Sequence, residues 1–190
     1  VVILVHGYNV MNPERTVGKL RPAMEETGAI VETFNYGFVP FTWQITRRNP
    51  KLAMKLAKRV QYWRNRGFKV YLAAHSNGCS ITYLACRHHE DVDFEAVLYI
   101  HPALRKDINP CETAKRIMVV YNRGDVAVMA GRFIGRIAKF FRPKSYHKRP
   151  WGKMGKEGYQ GVPDIRVTNI DTNDENQFMP VAWGHSDEFH

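Results

Sequence analysis

The sequence lacks the features that define fibrous, disulfide-rich and membrane-spanning proteins. None of its apolar runs approaches the roughly 20 residues that a membrane helix needs. Only three cysteines occur (Cys79, Cys86 and Cys111), and none lies in a Cys-x-x-Cys or Cys/His zinc spacing. Glycine and proline are present at ordinary levels, without the repeat of a collagen-like chain. What remains is a globular composition of one-domain length, 190 residues.

Little in the sequence points to secretion. No secretory signal opens the chain, which begins at Val1 rather than Met, a start compatible with an upstream segment. An odd number of cysteines leaves one thiol over under any pairing. Cys79 and Cys86, seven residues apart, fit a single buried stripe of a helix. We therefore expect a reducing, cytoplasmic setting.

Acidic residues are absent from two stretches, and these stretches account for the net charge of +10. Residues 47–69 and residues 132–156 each contain nine Lys or Arg and no Asp or Glu. The excess therefore forms two basic blocks rather than a uniform bias. A solvated positive face that aids solubility explains them; a docking surface for an anionic surface or polymer is the alternative.

Short apolar runs rich in β-branched residues alternate with helical patterns along the chain. The runs predict six strands, at Val1–Val5, Ile30–Phe34, Lys69–Ala74, Ala96–Ile100, Ile117–Tyr121 and Ile165–Ile170. Periodicity and capping residues predict helices at Asn12–Glu26, Asn49–Arg66, Asn77–His88 and Val126–Phe141. This alternation predicts one α/β domain over residues 1–190, with a parallel sheet, helices on both faces and right-handed crossovers.

The candidate chemistry lies after the predicted strands, and for the sixth strand a little downstream, because open parallel sheets bind ligands at the carboxyl ends of their strands. Four such segments carry Ser, His, Asp or Gly residues: His6–Asn9, Ala74–Gly78, Asn122–Asp125 and Gly184–Ser186. Within them, Ser76, Asp125 and His185 follow one another in the order Ser, Asp, His.

A serine hydroxyl needs three aids to act as a nucleophile. An imidazole takes its proton, an acid orients that imidazole, and backbone N–H groups hold the developing oxyanion. The pattern Ala74-x-Ser76-x-Gly78 between a strand and a helix suits this chemistry, because the tight turn lifts the serine above the sheet. The N–H of Asn77 is then one candidate oxyanion donor, and Tyr8 in the loop after the first strand is the other.

These motifs together resemble the α/β-hydrolase superfamily, in its minimal lipase/esterase-like form. The matches are an oxyanion-hole signature, a nucleophile elbow, an acid turn and a histidine loop: His6-Gly7, Ala74–Gly78, Gly124-Asp125 and Gly184-His185-Ser186. The likeness covers nearly the whole chain. It departs from the family at Ala74, where the elbow has its first glycine, and in lacking the family's first two strands and its cap region.

The resemblance implies a strand order of 2-1-3-4-5-6 and a Ser-His-Asp triad that works without a metal or an organic cofactor. Ser76 is the expected nucleophile, His185 the base and Asp125 the acid. For Asp125 a helix N-cap is the alternative role, and for His185 a surface loop position is the alternative. Rival acids that fit the triad less well are Asp107, Asp171 and Asp174.

Aromatic and polar residues near these motifs are candidates for the substrate site. The loop Tyr36–Trp43 follows the strand beside the oxyanion loop. It predicts a substrate wall, although aromatic residues also cover core edges. The expected contact residues are His6, Phe38, Phe41, Trp43 and His101. His75, next to the nucleophile, is expected to pack and bond locally.

The connection between the fourth and fifth strands, Pro102–Arg116, is too short for a helical lid. The candidate covers are the aromatic loop and the glycine-rich stretch Gly152–Gly161, whose glycines are expected to act as hinges. The sequence thus predicts a serine hydrolase that cleaves a carboxylic ester or related acyl bond at a site open to water. The alternative is a non-catalytic module of the same fold that binds an anionic partner through its two basic blocks.

Overall fold

Six parallel strands form one sheet in the computed structural model, which describes residues 1–8, 10–38, 42–89, 91–124 and 151–172 without the side chains of Thr42, Trp43 and Thr46. The strands are β1 (Val2–Val5), β2 (Val31–Phe34), β3 (Tyr71–His75), β4 (Ala96–Ile100), β5 (Ile117–Tyr121) and β6 (Val167–Asp171). Their order is β2-β1-β3-β4-β5-β6, and every neighbouring pair is parallel. The predicted sheet and its order are confirmed, with strand bounds within two residues of those expected.

Four α-helices connect or flank these strands in the described residues: α1 (Arg21–Glu25), α2 (Thr42–Arg64), α3 (Asn77–His88) and α4 (Met154–Glu157). None of these helices is both long and apolar enough to cross a membrane. The helix predicted at Val126–Phe141 lies outside the described residues. The helix predicted at Asn77–His88 is confirmed at both ends.

Strand β1 is buried on both faces of the sheet and carries the core on each side. Ile3 and Val5 belong to the larger cluster, which includes residues of α2 and α3. Val2 and Leu4 belong to a smaller cluster on the side of α1. Because side chains alternate along a strand, a continuous apolar run is required where both faces are covered. The sheet therefore has helices on both faces, as predicted.

The helix expected at Asn12–Glu26 is divided into two 3₁₀ turns followed by α1. Asn12 caps the first turn as expected, since its side chain accepts a hydrogen bond from the N–H of Glu14. The expectation of one continuous helix is wrong because Pro22 has no N–H to donate to the preceding turn. The turn that follows α1 ends at Gly28, whose φ of +78° lies in the left-handed region that favours glycine.

Helix α2 begins seven residues earlier than expected, at Thr42, and includes Pro50 in its interior. The sequence predicts that the helix opens at Asn49-Pro50, and this prediction is wrong. Asn49 is buried, and its side chain bonds to Asn77 of α3 rather than to its own helix. The helix was expected to start just before Pro50, because nothing in the local sequence indicates that Asn49 bonds to a partner 28 residues away.

The segment Gly152–Gly161 is docked against the chain after β4 rather than forming a hinged loop. The N–H of Met154 donates to the carbonyl of Leu104, and the N–H of Gly155 donates to that of Pro102. A Cβ at Gly155 would lie 2.7 Å from the carbonyl carbon of His101. Gly155 of α4 thus permits close backbone packing, and the expected hinge is not supported.

Two cysteines form a disulfide, contrary to the expectation of reduced thiols. Cys86, near the end of α3, is joined to Cys111 in the loop between β4 and β5, with their Cα atoms 5.7 Å apart. Cys79 is a fully buried free thiol whose pKa is raised well above its ordinary value by burial. Disulfides persist mainly in oxidising compartments, so this pairing does not fit the reducing setting expected from the sequence.

Peptide mapping of the oxidised protein should find Cys86 linked to Cys111. Cys79 should react with iodoacetamide only after unfolding, because its thiol is enclosed and protonated. Reduction should lower the free energy of unfolding by about 3 kcal/mol, the chain-entropy value for a loop of this length. A Cys79→Ala variant serves as control and should lose the same amount on reduction. Alkylation of Cys86 and Cys111 in the native, unreduced protein would contradict the pairing.

Candidate active site

Ser76 forms the whole of the turn between β3 and α3. The strand ends at His75 and the helix begins at Asn77, so the chain reverses at a single residue. Ser76 has φ 52° and ψ −115°, a conformation that is costly for any residue with a Cβ. Strain of this kind persists where surrounding bonds hold the backbone, and it is typical of functional turns.

Hydrogen bonds to two neighbouring segments hold the strained turn in place. The N–H of Ser76 donates to the carbonyl of Ile100, at the end of β4. The carbonyl of Ser76 accepts from the N–H of Cys79 at 3.1 Å and from the N–H of Ala103 at 3.3 Å. The turn is therefore fixed both by its own helix and by the chain that leaves β4.

Two glycines, Gly7 after β1 and Gly78 in α3, let the end of β1 and the turn at Ser76 approach each other. A Cβ at Gly78 would overlap the carbonyl oxygen of Val5 and lie 2.7 Å from that of His6. A Cβ at Gly7 would lie 3.1 Å from the Cβ of Ser76. The loop at Gly7, which carries the predicted oxyanion donor Tyr8, and the turn at Ser76 are thus in direct contact. Ala74, which replaces a glycine of the family pattern, is fully buried within β3.

The two predicted oxyanion donors lie at the edges of this contact. Asn77 is the first residue of α3, where backbone N–H groups have no partner within the helix and the helix dipole favours negative charge. Tyr8 follows Gly7 directly, and its side chain packs on the core. Burial raises the pKa of the Tyr8 phenol, which stays neutral. Both positions suit a negative charge that develops on a substrate beside Ser76.

A buried network of polar side chains lies beneath the oxyanion loop, and sequence reasoning missed it. Asn49 of α2 donates to the side-chain oxygen of Asn77 at 2.9 Å. The amide nitrogen of Asn77 donates to the hydroxyl of Tyr36 at 3.3 Å. That hydroxyl donates to the carbonyl of Gly7 at 2.6 Å. The one available signal was the polarity of Asn49 on an otherwise apolar helix face.

His6 supports the loop from within instead of lining the substrate site as expected. It is fully buried, and its ring stacks on Tyr36 with 3.9 Å between ring centroids. Its Nδ1 lies 2.9 Å from the carbonyl of Gly7, and its Nε2 accepts the N–H of Tyr36. Burial lowers the pKa of His6, which favours the neutral ring that this pattern requires. Both nitrogens are thereby committed to the backbone.

His101 is also fully buried, which does not fit its expected place on the substrate wall. It directly follows β4 with a φ of 46°, and α4 lies against its backbone at Gly155. His75 is nearly buried, in keeping with the local packing predicted for it. Of the aromatic wall residues, Phe38 is exposed, whereas Phe41 and the side chain of Trp43 lie outside the described residues.

Asp125 and His185 also lie outside the described residues, so their place in the site stays a prediction. The described chain reaches Gly124 at the carboxyl edge of β5, where its N–H donates to the side chain of Asn122. Two rival acids are already engaged. Asp107 pairs with Arg105, and Asp171 pairs with Arg123 and accepts the hydroxyl of Tyr121. The third rival, Asp174, is not described.

The first basic block is narrower on the protein surface than its composition indicates. Arg59 pairs with Glu32, and Arg64 with Asp93. The exposed face of α2 also carries a lysine stripe: Lys51, Lys55 and Lys58. Most of the second block lies outside the described residues. Within its described end, Lys153 pairs with Glu157, whose pKa is lowered to about 2 by Lys106 and Lys153.

No group of three or more His, Cys, Asp or Glu side chains in the described part of the chain could hold a metal ion. The described site offers a serine hydroxyl beside a helix N-terminus and a second backbone loop. This arrangement suits acyl transfer, in which a hydroxyl attacks a carbonyl and N–H groups stabilise the resulting oxyanion.

The chain has the α/β-hydrolase fold, which confirms the predicted resemblance. A serine hydrolase without lid from Xanthomonas campestris is similar, with a TM-score of 0.55 and 14% identity over 91% of this chain and 71% of the other. A structure described as a hydrolase of the α/β superfamily, from X. campestris pv. campestris, has a TM-score of 0.53 and 18% identity over 92% and 87%. Carboxyl esterase 2 of Tuber melanosporum has a TM-score of 0.53 and 13% identity over 90% and 67%. No protein-family model and no curated protein sequence matches the chain.

Because Ser76 is strained, we expect its glycine variant to be more stable than its alanine variant, which is the reverse of the order inside an ordinary helix. Ser76→Gly should exceed Ser76→Ala in free energy of unfolding by about 1 kcal/mol, because glycine adopts this backbone conformation without a Cβ clash. Ser80, in the middle of α3, is the matched control. There Ser80→Gly should be the less stable variant, by a similar amount. Urea unfolding followed by circular dichroism measures both pairs, and the same order at both sites would show that Ser76 is unstrained.

Proposed function

We propose that this protein is a serine hydrolase that cleaves a carboxylic ester or a related acyl bond. The observation that carries the proposal is the strained turn at Ser76, held between β3 and α3 and in contact with the oxyanion loop at Gly7. A turn of this cost is retained where it presents a side chain for chemistry. The fold, with its candidate residues at the carboxyl ends of parallel strands, supports the same conclusion.

The proposed reaction passes through a covalent acyl-enzyme. His185 takes the proton of Ser76 as its Oγ attacks the carbonyl carbon, and Asp125 orients the imidazole. The N–H groups of Tyr8 and Asn77 hold the oxyanion of the tetrahedral intermediate. His185 then gives the proton to the leaving alcohol, and the acyl group stays on Ser76. Water, activated by the same imidazole, releases the acid and restores the serine.

Similar structures are named as an esterase and as a serine hydrolase without lid, and both descriptions suit the site proposed here. The loop from β4 to β5 is tied down at several points. Tyr99 donates to the carbonyl of Pro110, and Ser80 donates to that of Ala103. With the disulfide at Cys111, these bonds leave the loop no freedom to act as a mobile lid. Dissolved small esters are the substrates that such a site favours.

A non-catalytic module that binds an anionic partner is the second candidate. The exposed lysine stripe of α2 favours it, because its three side chains lie on one helix face and form no ion pair with the residues that the structure describes. Such a module has no use for the strained turn at Ser76 or for the buried network beneath Gly7. We therefore place the enzyme first.

A fluorophosphonate probe should label Ser76 in the folded protein, and ester turnover should depend on the same residue. Ser76→Ala and His185→Ala should lower kcat by about 10⁴-fold or more, and Asp125→Ala by less, because the orienting acid generally contributes less than nucleophile or base. Ser80→Ala, a buried serine one turn further along α3, is the control and should be labelled normally. Circular dichroism verifies that each variant is folded.

The same experiment separates the two candidate functions. Full turnover in folded Ser76→Ala protein would rule out the proposed mechanism. Absence of labelling, together with salt-sensitive binding of heparin that is lost when Lys51, Lys55 and Lys58 are changed to Glu, would support the binding module.

Because the loop from β4 to β5 is tied down, we expect the proposed hydrolase to prefer dissolved substrates. The rate with a sparingly soluble short-chain ester should rise smoothly through its solubility limit, because no lid has to open at an interface. Short p-nitrophenyl esters should be cleaved faster than emulsified long-chain triglyceride. A sharp rise in rate at the solubility limit would instead mean that a segment outside the described residues covers the site.

A further inference from the structure

The carbonyl of Gly7 receives two hydrogen bonds from side chains inside the protein. The hydroxyl of Tyr36 lies 2.6 Å from this oxygen, and the Nδ1 of His6 lies 2.9 Å from it. The same hydroxyl is 3.1 Å from the carbonyl of His6, a longer second contact. Since a carbonyl oxygen has two lone pairs, the Gly7 acceptor is fully used. Its direction is therefore fixed by Tyr36 and His6.

Fixing this carbonyl also fixes the N–H of the next residue. The peptide bond between Gly7 and Tyr8 is trans, as are all the peptide bonds described. In a trans peptide the C=O and N–H point in opposite directions within one plane. When the Gly7 carbonyl points inward to Tyr36, the N–H of Tyr8 therefore points away from Tyr36, and Gly7 itself lies against the Cβ of Ser76. An oxyanion donor must have this direction before the substrate arrives.

Tyr36 is itself held from three sides. The side chain of Asn77 donates to its hydroxyl, and Asn49 in turn holds the amide of Asn77. Its ring stacks on His6, and its N–H donates to that ring. Arg48 donates to its carbonyl at 3.2 Å. Tyr36 is 7% exposed, so its hydroxyl makes these bonds out of competition with bulk water.

We propose that Tyr36 is a positioning residue for catalysis: its hydroxyl orients the Gly7–Tyr8 peptide so that the N–H of Tyr8 faces the oxyanion. The network Asn49–Asn77–Tyr36 also joins this peptide to the residue whose own N–H is the second donor. One set of buried side chains thereby aligns both oxyanion donors. This inference rests on the proposed hydrolase function and adds residues that do not touch the substrate.

The test compares Tyr36→Phe with Tyr99→Phe. Tyr99 is a matched control, because it is also buried and its hydroxyl also donates to a backbone carbonyl, that of Pro110, away from the oxyanion loop. Tyr36→Phe should lower kcat by about 10- to 100-fold with KM changed by less than about threefold, since the lost interaction acts on the transition state. Tyr99→Phe should keep kcat within about twofold of wild type.

A second readout separates positioning from general loosening of the structure. A thionoester places sulfur where the oxyanion forms, and sulfur accepts hydrogen bonds poorly. The wild type should therefore prefer the oxygen ester strongly, and Tyr36→Phe should narrow that preference by about the factor lost in kcat. Loss of kcat in Tyr36→Phe with an unchanged oxygen-to-sulfur preference would overturn the proposal. So would a Tyr36→Phe enzyme with the kcat of Tyr99→Phe.

Asn49→Ala covers the case in which Tyr36→Phe does not fold. It removes the far end of the network and should lower kcat by about three- to tenfold at constant KM, with the same narrowing of the thionoester preference. Wild-type kcat in this variant would then overturn the proposal. Wild-type ester turnover that persists in folded Ser76→Ala protein would overturn the hydrolase function and this inference together. Turnover that depends on Ser76 but not on Tyr36 overturns the inference alone.

Discussion

The backbone of Ser76 is the constraint on which the rest of the site depends. A single residue in a costly conformation reverses the chain between a buried strand and a buried helix. The bonds that hold it come from Ile100 and Ala103, at the end of the neighbouring strand and in the loop beyond it. Strain of about 1–3 kcal/mol at one residue is tolerated when the surrounding packing fixes the turn. The N-terminus of α3, where the helix dipole favours negative charge, then lies directly after Ser76.

A second constraint acts below the oxyanion loop, where four polar side chains are buried together: His6, Tyr36, Asn49 and Asn77. Burying such groups without partners would cost several kcal/mol, so they are placed where each can bond to another or to the backbone. A network of this kind is less adaptable than apolar packing, because bond directions as well as volumes must match. Because bond directions must match, the network is rigid, and a preorganised oxyanion hole requires such rigidity.

Local patterns in the sequence predicted the parallel sheet and the strand-to-helix turn at Ser76, whereas the strand order was implied by the family resemblance. Helix α3 was predicted to its end residues because capping and periodicity are local signals. Pairs that meet only through the fold were not predicted. Asn49 was placed at a helix start because its partner Asn77 is distant in the sequence, and Cys86 was not paired with Cys111 for the same reason. His6 and His101 were expected near the substrate because sequence cannot tell a buried polar side chain from an exposed one.

The short loop between β4 and β5 supports the nucleophile helix instead of covering it. Ala103 bonds to α3 twice, once through its N–H to the carbonyl of Ser76 and once through its carbonyl to the hydroxyl of Ser80. At the far end of the helix, the disulfide attaches Cys86 to Cys111 of the same loop. A segment that is bonded to both ends of α3 cannot swing away from it without breaking the bonds that hold the strained turn. The loop is therefore part of the support that keeps Ser76 in its strained conformation.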